Sequence, residues 1–434
     1  MPGTCAHCNK PSARARCSLC KVVYYCGREC QRLDFKTHKR TCRKVSSPPP
    51  PKFLSAPSFL STPSPPRNPL NGTAITSSPA RGRHLVSIKN LPSPGTTVLS
   101  EPPLIPPVLN RDHRGILCSS CFCPLPTSPL SRRYCSLACR DLNPYDEVEV
   151  RIIEHLKDPP SNVVLATRVI LACKDSSTLK SSINSLIHDY VPSEDLYTAL
   201  VQMVVSGLNS TGLCSGGSIC GFTPQDIKDL FCRINQNSFT VSDPELQPLG
   251  VGMYGLASCI NHSCSPNAVT SFDLSPASLP AISARTISPI RGGGEVTTSY
   301  IDITPPSSER RASLRRDYNF TCTCVSCSSP ELPALASLRS DLVRSRGEVE
   351  EMLEGGRYQE ALTALRPTPG MWEALTPEYF PVKGLELLKL AKLEASFGDM
   401  GRAAEMRVKG EEIFKVCYGA GSANFEKIMK ATLG

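Results

Sequence analysis

Cysteine spacing sets the tightest limit on what this chain can fold into. Of its 434 residues, 22 are cysteine, and most stand in short groups: Cys5-x2-Cys8, Cys17-x2-Cys20, Cys26-x3-Cys30, Cys118-x2-Cys121, Cys135-x3-Cys139 and Cys322-x-Cys324-x2-Cys327. Donors three or four residues apart lie on one side of a turn or helix, which is the geometry a tetrahedral zinc ion needs. The last group supplies three thiols of a shell of four, and Cys264 is the candidate for the fourth. A metal closed in this way pins the run Asn261-His262-Ser263-Cys264-Ser265-Pro266-Asn267 against the later half of the chain. Disulfides are the competing use of so much sulfur. No apolar run approaches the roughly 18 residues of a membrane span, and Cys5 comes before any signal-like stretch fits. The sequence therefore predicts a soluble intracellular protein, cytoplasmic and/or nuclear and not membrane-bound, whose thiols stay reduced.

At the N-terminus, His38-x3-Cys42 completes four ligand pairs, enough for two closed zinc sites. Spacing leaves open whether the pairs share ions sequentially or interleaved. With few large apolar side chains, this piece depends on its metals for folding energy. Residues 1–44 hold 11 Lys or Arg and 2 Asp or Glu, a surplus equal to the net charge of +9 of the whole chain. Seven thiolates and two zinc ions lower it to about +6. Nucleic acid is a weaker reading of this surplus, because small zinc modules are often basic on their solvated face.

Residues 46–80 contain ten prolines, eight serines and no acidic residue, a composition that predicts an unstructured tether. Short β-type runs at 84–88 and 96–99 flank Pro94-Gly95 and predict a hairpin. Cys118, Cys121, Cys135 and Cys139 suffice for one further zinc, with Cys123 as an alternative to Cys121. From about Tyr145 to Gln236 the apolar period is helical, with Ser193 and Thr223-Pro224-x-Asp226 as helix starts. β-type runs return at 268–272, 281–287 and 296–301. Cys259 lies on an apolar stretch and reads as core. The last hundred residues show helical spacing, interrupted at Gly355-Gly356, Pro367 to Gly370, Pro377 to Pro381 and Gly398.

The Asn261–Asn267 run, Gly292 to Asp302 (GGGEVTTSYID), the charged stretch from Glu309 to Asp317, and Tyr318-Asn319-Phe320 ahead of the cysteine triplet resemble the SET-and-MYND (SMYD-type) protein-lysine methyltransferases. The resemblance implies an α+β multi-domain protein: a β-rich SET fold with a helical insert, small zinc-bound modules and an all-α tetratricopeptide-like (TPR-like) C-terminal domain. It implies a MYND-type finger at 1–44, a Pro/Ser linker at 45–80, the first SET strands at 81–117, a reduced zinc-finger-like insert at 118–144 and a helical insert at 145–230. Core SET at 231–303, a post-SET zinc site at 304–330 and the TPR-like domain at 331–434 complete the order. The finger stands ahead of the SET domain rather than inside it. Its interleaved pattern puts Cys5, Cys8, Cys26 and Cys30 on one ion and Cys17, Cys20, His38 and Cys42 on the other, for about four zinc ions in all.

The same resemblance implies S-adenosyl-L-methionine as methyl donor and a protein lysine as acceptor. Tyr300 is the expected catalytic residue. Arg81, Gly82, Arg83, Asn237, Asn261, His262, Tyr300, Tyr318 and Phe320 are expected around the cofactor. The finger is expected to take proline-containing peptides. The chain departs from the family at Gly82-Arg83-His84, where His84 replaces the second glycine of Gly-x-Gly. That departure motivates a runner-up reading: a SET-shaped scaffold that binds proteins without catalysing.

Overall fold

A computed structural model describes residues 4–8, 10, 15–16, 23–38, 69–126, 133–189, 193–213, 219–328 and 330–433. The chain divides into two compact units, Met1–Leu60 and Ser61–Gly434. In the first, the two-residue strand Ala15–Arg16 pairs antiparallel with Tyr24–Tyr25, and the helix Arg28–His38 follows. Tyr25 is buried and donates to Asp34 Oδ2 at 2.8 Å.

The second unit opens with a hairpin in which Thr73–Ser78 pairs antiparallel with Gly82–Ser87. This corrects two expectations. The stretch predicted as tether ends in a strand by residue 73; the remainder of the tether, 46–68, lies outside the described residues. The hairpin turn is Pro79-Ala80-Arg81, not Pro94-Gly95. Thr97–Glu101 instead joins a three-stranded antiparallel sheet as the neighbour of Ala281–Thr286, which also pairs with Ala268–Asp273. Gly82 has φ +59°, a backbone state in which a side chain is strained and glycine is not.

A second antiparallel sheet has the order Val108–Leu109, Pro248–Met253, Ser238–Ser242. The predicted run 296–301 contracts to Thr297–Thr298, which pairs parallel with Asn261–His262; Tyr300 follows in a turn. One apolar core, including Leu85, Val98, Ile282 and Val296, underlies these strands.

The helical insert comprises Asp146–His155, Ser161–Asp175, Ser177–Asn184, Glu194–Ser210 and Pro224–Asn237. Both predicted starts act as caps. Ser193 accepts from Leu196 N, and Thr223 and Asp226 form a reciprocal capping box with proline in the first turn, satisfying otherwise orphaned amides.

A buried ion cluster ties this insert down. Glu149 Oε2 accepts from Arg168 Nε at 2.7 Å, Glu149 Oε1 accepts from Arg133 Nη2 at 2.7 Å, and Arg168 donates onward to Pro106 O at 2.8 Å. Burial alone would raise the Glu149 pKa, but the two guanidiniums outweigh it and hold the group at about 2.

After residue 330 the chain is helical: Pro333–Glu354, Tyr358–Leu365, Thr368–Leu375, Pro381–Ser396, Met400–Tyr418 and Ala423–Leu433. The break expected at Pro367 to Gly370 is present but narrower: one helix ends at Leu365 and the next starts at Thr368, with Pro369 in its first turn, where no amide proton is needed. Met400–Tyr418 leans on the sheet: Arg285 Nε donates to Val416 O at 3.1 Å and Tyr418 Oη to Pro244 O at 2.8 Å. Among the described residues no helix is long and apolar enough to cross a membrane.

Replacing Glu149 by Gln leaves Arg168 buried beside a neutral partner and is expected to destabilise the second unit by about 3–5 kcal/mol. A carboxyl held at about 2 against about 4.3 unfolded stabilises fully above the unfolded value and loses that contribution as pH falls through the folded one. Thermal unfolding from pH 6 down to 2.5 should therefore show the gap between wild type and Glu149→Gln narrowing toward the acid end.

Candidate active site and thiol clusters

Three groups of four cysteines come together, with the four sulfurs of each group within 4.8 Å of one another: Cys5, Cys8, Cys26, Cys30; Cys118, Cys121, Cys135, Cys139; and Cys264, Cys322, Cys324, Cys327. Sulfur separations are 3.4 Å for Cys8–Cys26, 3.6 Å for Cys121–Cys135, 3.4 Å for Cys135–Cys139 and 3.6 Å for Cys264–Cys327. A zinc ion with bonds of about 2.3 Å spaces its thiolates by about 3.8 Å, whereas a disulfide brings sulfurs to about 2.05 Å. The donor sets fit zinc.

Cys5 and Cys8 meet Cys26 and Cys30, which is the interleaved order for the first ion. Cys17, Cys20, Cys42 and the His38 side chain lie outside the described residues. Cys123 stands outside its neighbouring group and donates to Leu274 O at 3.2 Å. Cys259 is buried, with its thiol toward Gly255 O at 3.8 Å.

The third cluster shares one apolar core with the expected site. Cys264, Cys322 and Cys327 pack with Leu314, Trp372 and Phe380, and Tyr300, Tyr318 and Phe320 lie against them. Arg310, almost fully buried, donates toward Cys327 Sγ at 3.8 Å, a contact that offsets thiolate charge. Asn319 ends the helix Ser307–Tyr318 in the left-handed conformation, a state asparagine tolerates, and this turns Phe320 back toward the cluster.

His262 connects metal ligand and aromatic residue. Its Nδ1 accepts from Tyr300 N at 3.0 Å and its Nε2 lies 3.2 Å from Cys264 Sγ. An amide can only donate, so Nδ1 carries no proton, and Nε2–H points at sulfur. Burial lowers the His262 pKa to about 4, consistent with a neutral ring. Its centroid is 5.4 Å from Tyr300 and 6.0 Å from Phe320, and Tyr300 lies 5.0 Å from Tyr318. Tyr300 Oη donates to Ile260 O at 2.7 Å, and burial pushes the phenol up so that it keeps its proton.

Sequence comparison agrees with this geometry. The SET domain profile matches residues 82–301 and the MYND finger profile residues 5–42. The chain belongs to the SET domain family. A MYND finger match precedes the SET match, and the relatives found by sequence are named as SMYD lysine methyltransferases. "Histone-lysine N-methyltransferase SMYD3" of Mus musculus is 24% identical over 408 residues, covering 78% of this chain and 92% of that protein. The Homo sapiens protein of the same name is 27% identical over 308 residues, covering 65% and 68%. "N-lysine methyltransferase SMYD2-A" of Xenopus laevis is 38% identical over 143 residues, 30% of this chain and 32% of that one.

At the SET domain's remaining expected positions, Asn261 Nδ2 donates to Arg81 O at 3.1 Å and Glu295 Oε1 at 2.9 Å. Arg81 pairs with the other oxygen of Glu295. Asn237 is buried at the end of its helix and donates to Ile187 O and Arg233 O, both main-chain groups of the helical insert and not of the aromatic group. His84 is buried, with Nδ1 3.0 Å from Gly82 O. Arg83 is half-buried. Sequence reasoning assigned no role to Glu295, Arg310 or Asn267, whose Nδ2 donates to Glu295 O at 2.8 Å. A lone charged residue carries no local signature, although Glu295 stands inside the Gly292–Asp302 motif.

Cys264→Ser is expected to lower bound zinc by about one ion per chain, read by elemental analysis. Cys259→Ser, outside every cluster, should leave the ratio unchanged.

Proposed function

We propose that this protein is an S-adenosylmethionine-dependent protein-lysine N-methyltransferase, with Tyr300 as the catalytic residue. The observation that carries the reading is the Tyr300 phenol, half-buried, protonated and anchored to Ile260 O beside the His262 turn, in a chain that carries SET and MYND matches and aligns with named lysine methyltransferases. The bound cofactor supplies an electrophilic methyl group on a sulfonium. The protein aligns the acceptor amine with it and excludes water.

The amine attacks only when neutral, and apolar walls lower its pKa by disfavouring the charged form; Tyr300, Tyr318 and Phe320 supply such walls. The Tyr300 hydroxyl spends its proton on Ile260 O, and its lone pairs accept from the incoming amine. Gly82, open on its Cβ side and left-handed, lets backbone approach the cofactor. Asn261 and His262 hold its amino-acid and adenosine parts, with Arg81, Arg83 and Asn237 at the edges. The thiol clusters are scaffolding: a methyl displacement requires no metal electrophile.

Within this reading the N-terminal finger recruits partners. Proline-containing peptides are supported by the MYND match at residues 5–42, whereas nucleic acid has only the basic surplus in its favour. The cysteine-rich composition supports a reducing, cytoplasmic and/or nuclear setting. The C-terminal helices, TPR-like in our reading, back the site through Trp372.

Purified protein incubated with methyl-labelled cofactor and a protein extract is expected to label protein lysines. Tyr300→Phe, which keeps the ring and removes the hydroxyl, should lower the rate by about 10²-fold. No label above that variant would favour the scaffold reading.

A further inference from the structure

We propose that Glu295 is a positioning residue that fixes which way the Asn261 amide faces and so makes this turn select a hydrogen-bond donor on the cofactor. The inference rests on the reading of Asn261 as a cofactor residue.

Asn261 Nδ2 touches two groups, Glu295 Oε1 at 2.9 Å and Arg81 O at 3.1 Å. A carboxylate and a main-chain carbonyl can only accept. An inverted amide would set oxygen against oxygen at both contacts, so the orientation follows from the chemistry of the partners. Both amide protons are consumed inside the protein, and Oδ1 is the polar atom left for a ligand. An acceptor takes a donor. On a cofactor that ends in an amino acid, the donor is the ammonium, and the carboxylate is repelled.

Glu295 is held firmly enough for this task. Its main chain bridges Val86 of the hairpin, its carbonyl accepts from Asn267 Nδ2 at 2.8 Å, and its second carboxylate oxygen pairs with Arg81. The Glu295 side chain is 14% exposed and that of Arg81 57%. An ion pair so open to solvent adds little stability; its effect here is to orient the carboxylate. The contact also ties the left-handed Gly82 turn, through Arg81, to the Asn-His turn 180 residues later.

Calorimetric titration of the full-length, zinc-loaded protein tests this with two probes: S-adenosylhomocysteine and the analogue lacking its α-amino group. Wild type is expected to prefer the amino-bearing ligand by about tenfold or more. Glu295→Gln, nearly isosteric, offers Asn261 a group that both donates and accepts, so the amide is held only by the longer contact to Arg81 O and its orientation is weakened. Its preference should fall to about threefold or less, affinity for the desamino analogue should not drop, and kcat at saturating cofactor should hold while KM rises. Zinc content and melting temperature verify that the variant is folded. Equal loss of affinity for both ligands, as a merely structural role predicts, overturns the proposal, and so does undiminished discrimination. Asn261→Ala separates the two levels: wild-type affinity for both ligands in that variant would overturn the cofactor reading of the turn itself.

Discussion

The site hangs from one sulfur. The parallel pairing of Asn261–His262 with Thr297–Thr298 is two residues long, too short to hold its register without support. Cys264, two residues beyond His262, enters a group with three thiols from 322–327, and that closure joins the turn to the helix Ser307–Tyr318 and to the Trp372 core. His262 then passes the constraint on, one ring nitrogen toward sulfur and the other accepting from the Tyr300 amide. The backbone of the proposed catalytic residue is thus positioned by a metal ligand through a single imidazole.

The zinc-type clusters are therefore integral to the architecture. The group at 118–139 is bound to the helical insert by Arg133, which reaches both Asp146 and Glu149, and Glu149 in turn receives Arg168. The group closed by Cys264 is coupled in the same way to the helix Ser307–Tyr318, through the buried Arg310.

What was legible in the sequence was chemistry with a fixed local spacing. Cysteine groups, the Asn-His-Ser-Cys run, the Ser193 and Thr223 caps and the helical periods all act over a few residues, and among the described residues three of the cysteine groups assemble and both caps form. Pairing across distance was not legible. Pro94-Gly95 carries stronger turn chemistry than Pro79-Ala80-Arg81, yet the hairpin forms at the latter, because Thr97–Glu101 finds a better partner in Ala281–Thr286. Thr73–Ser78 hid inside a proline- and serine-rich stretch for the same reason: its strand state comes from Gly82–Ser87 opposite. Glu295, Arg310 and Glu149 escaped notice since a single ionisable residue acquires meaning only from what faces it.

The parallel pair has a consequence for biosynthesis. Asn261–His262 leaves the ribosome well before Thr297–Thr298, and the thiols that secure it come later still, at 322–327. An N-terminal finger whose match ends at residue 42 is free to close on its own metal long before that. The growing polypeptide thus passes through a stage in which its N-terminal finger is finished while its SET site is still open, and chains cut short before Cys327 would carry the first without the second.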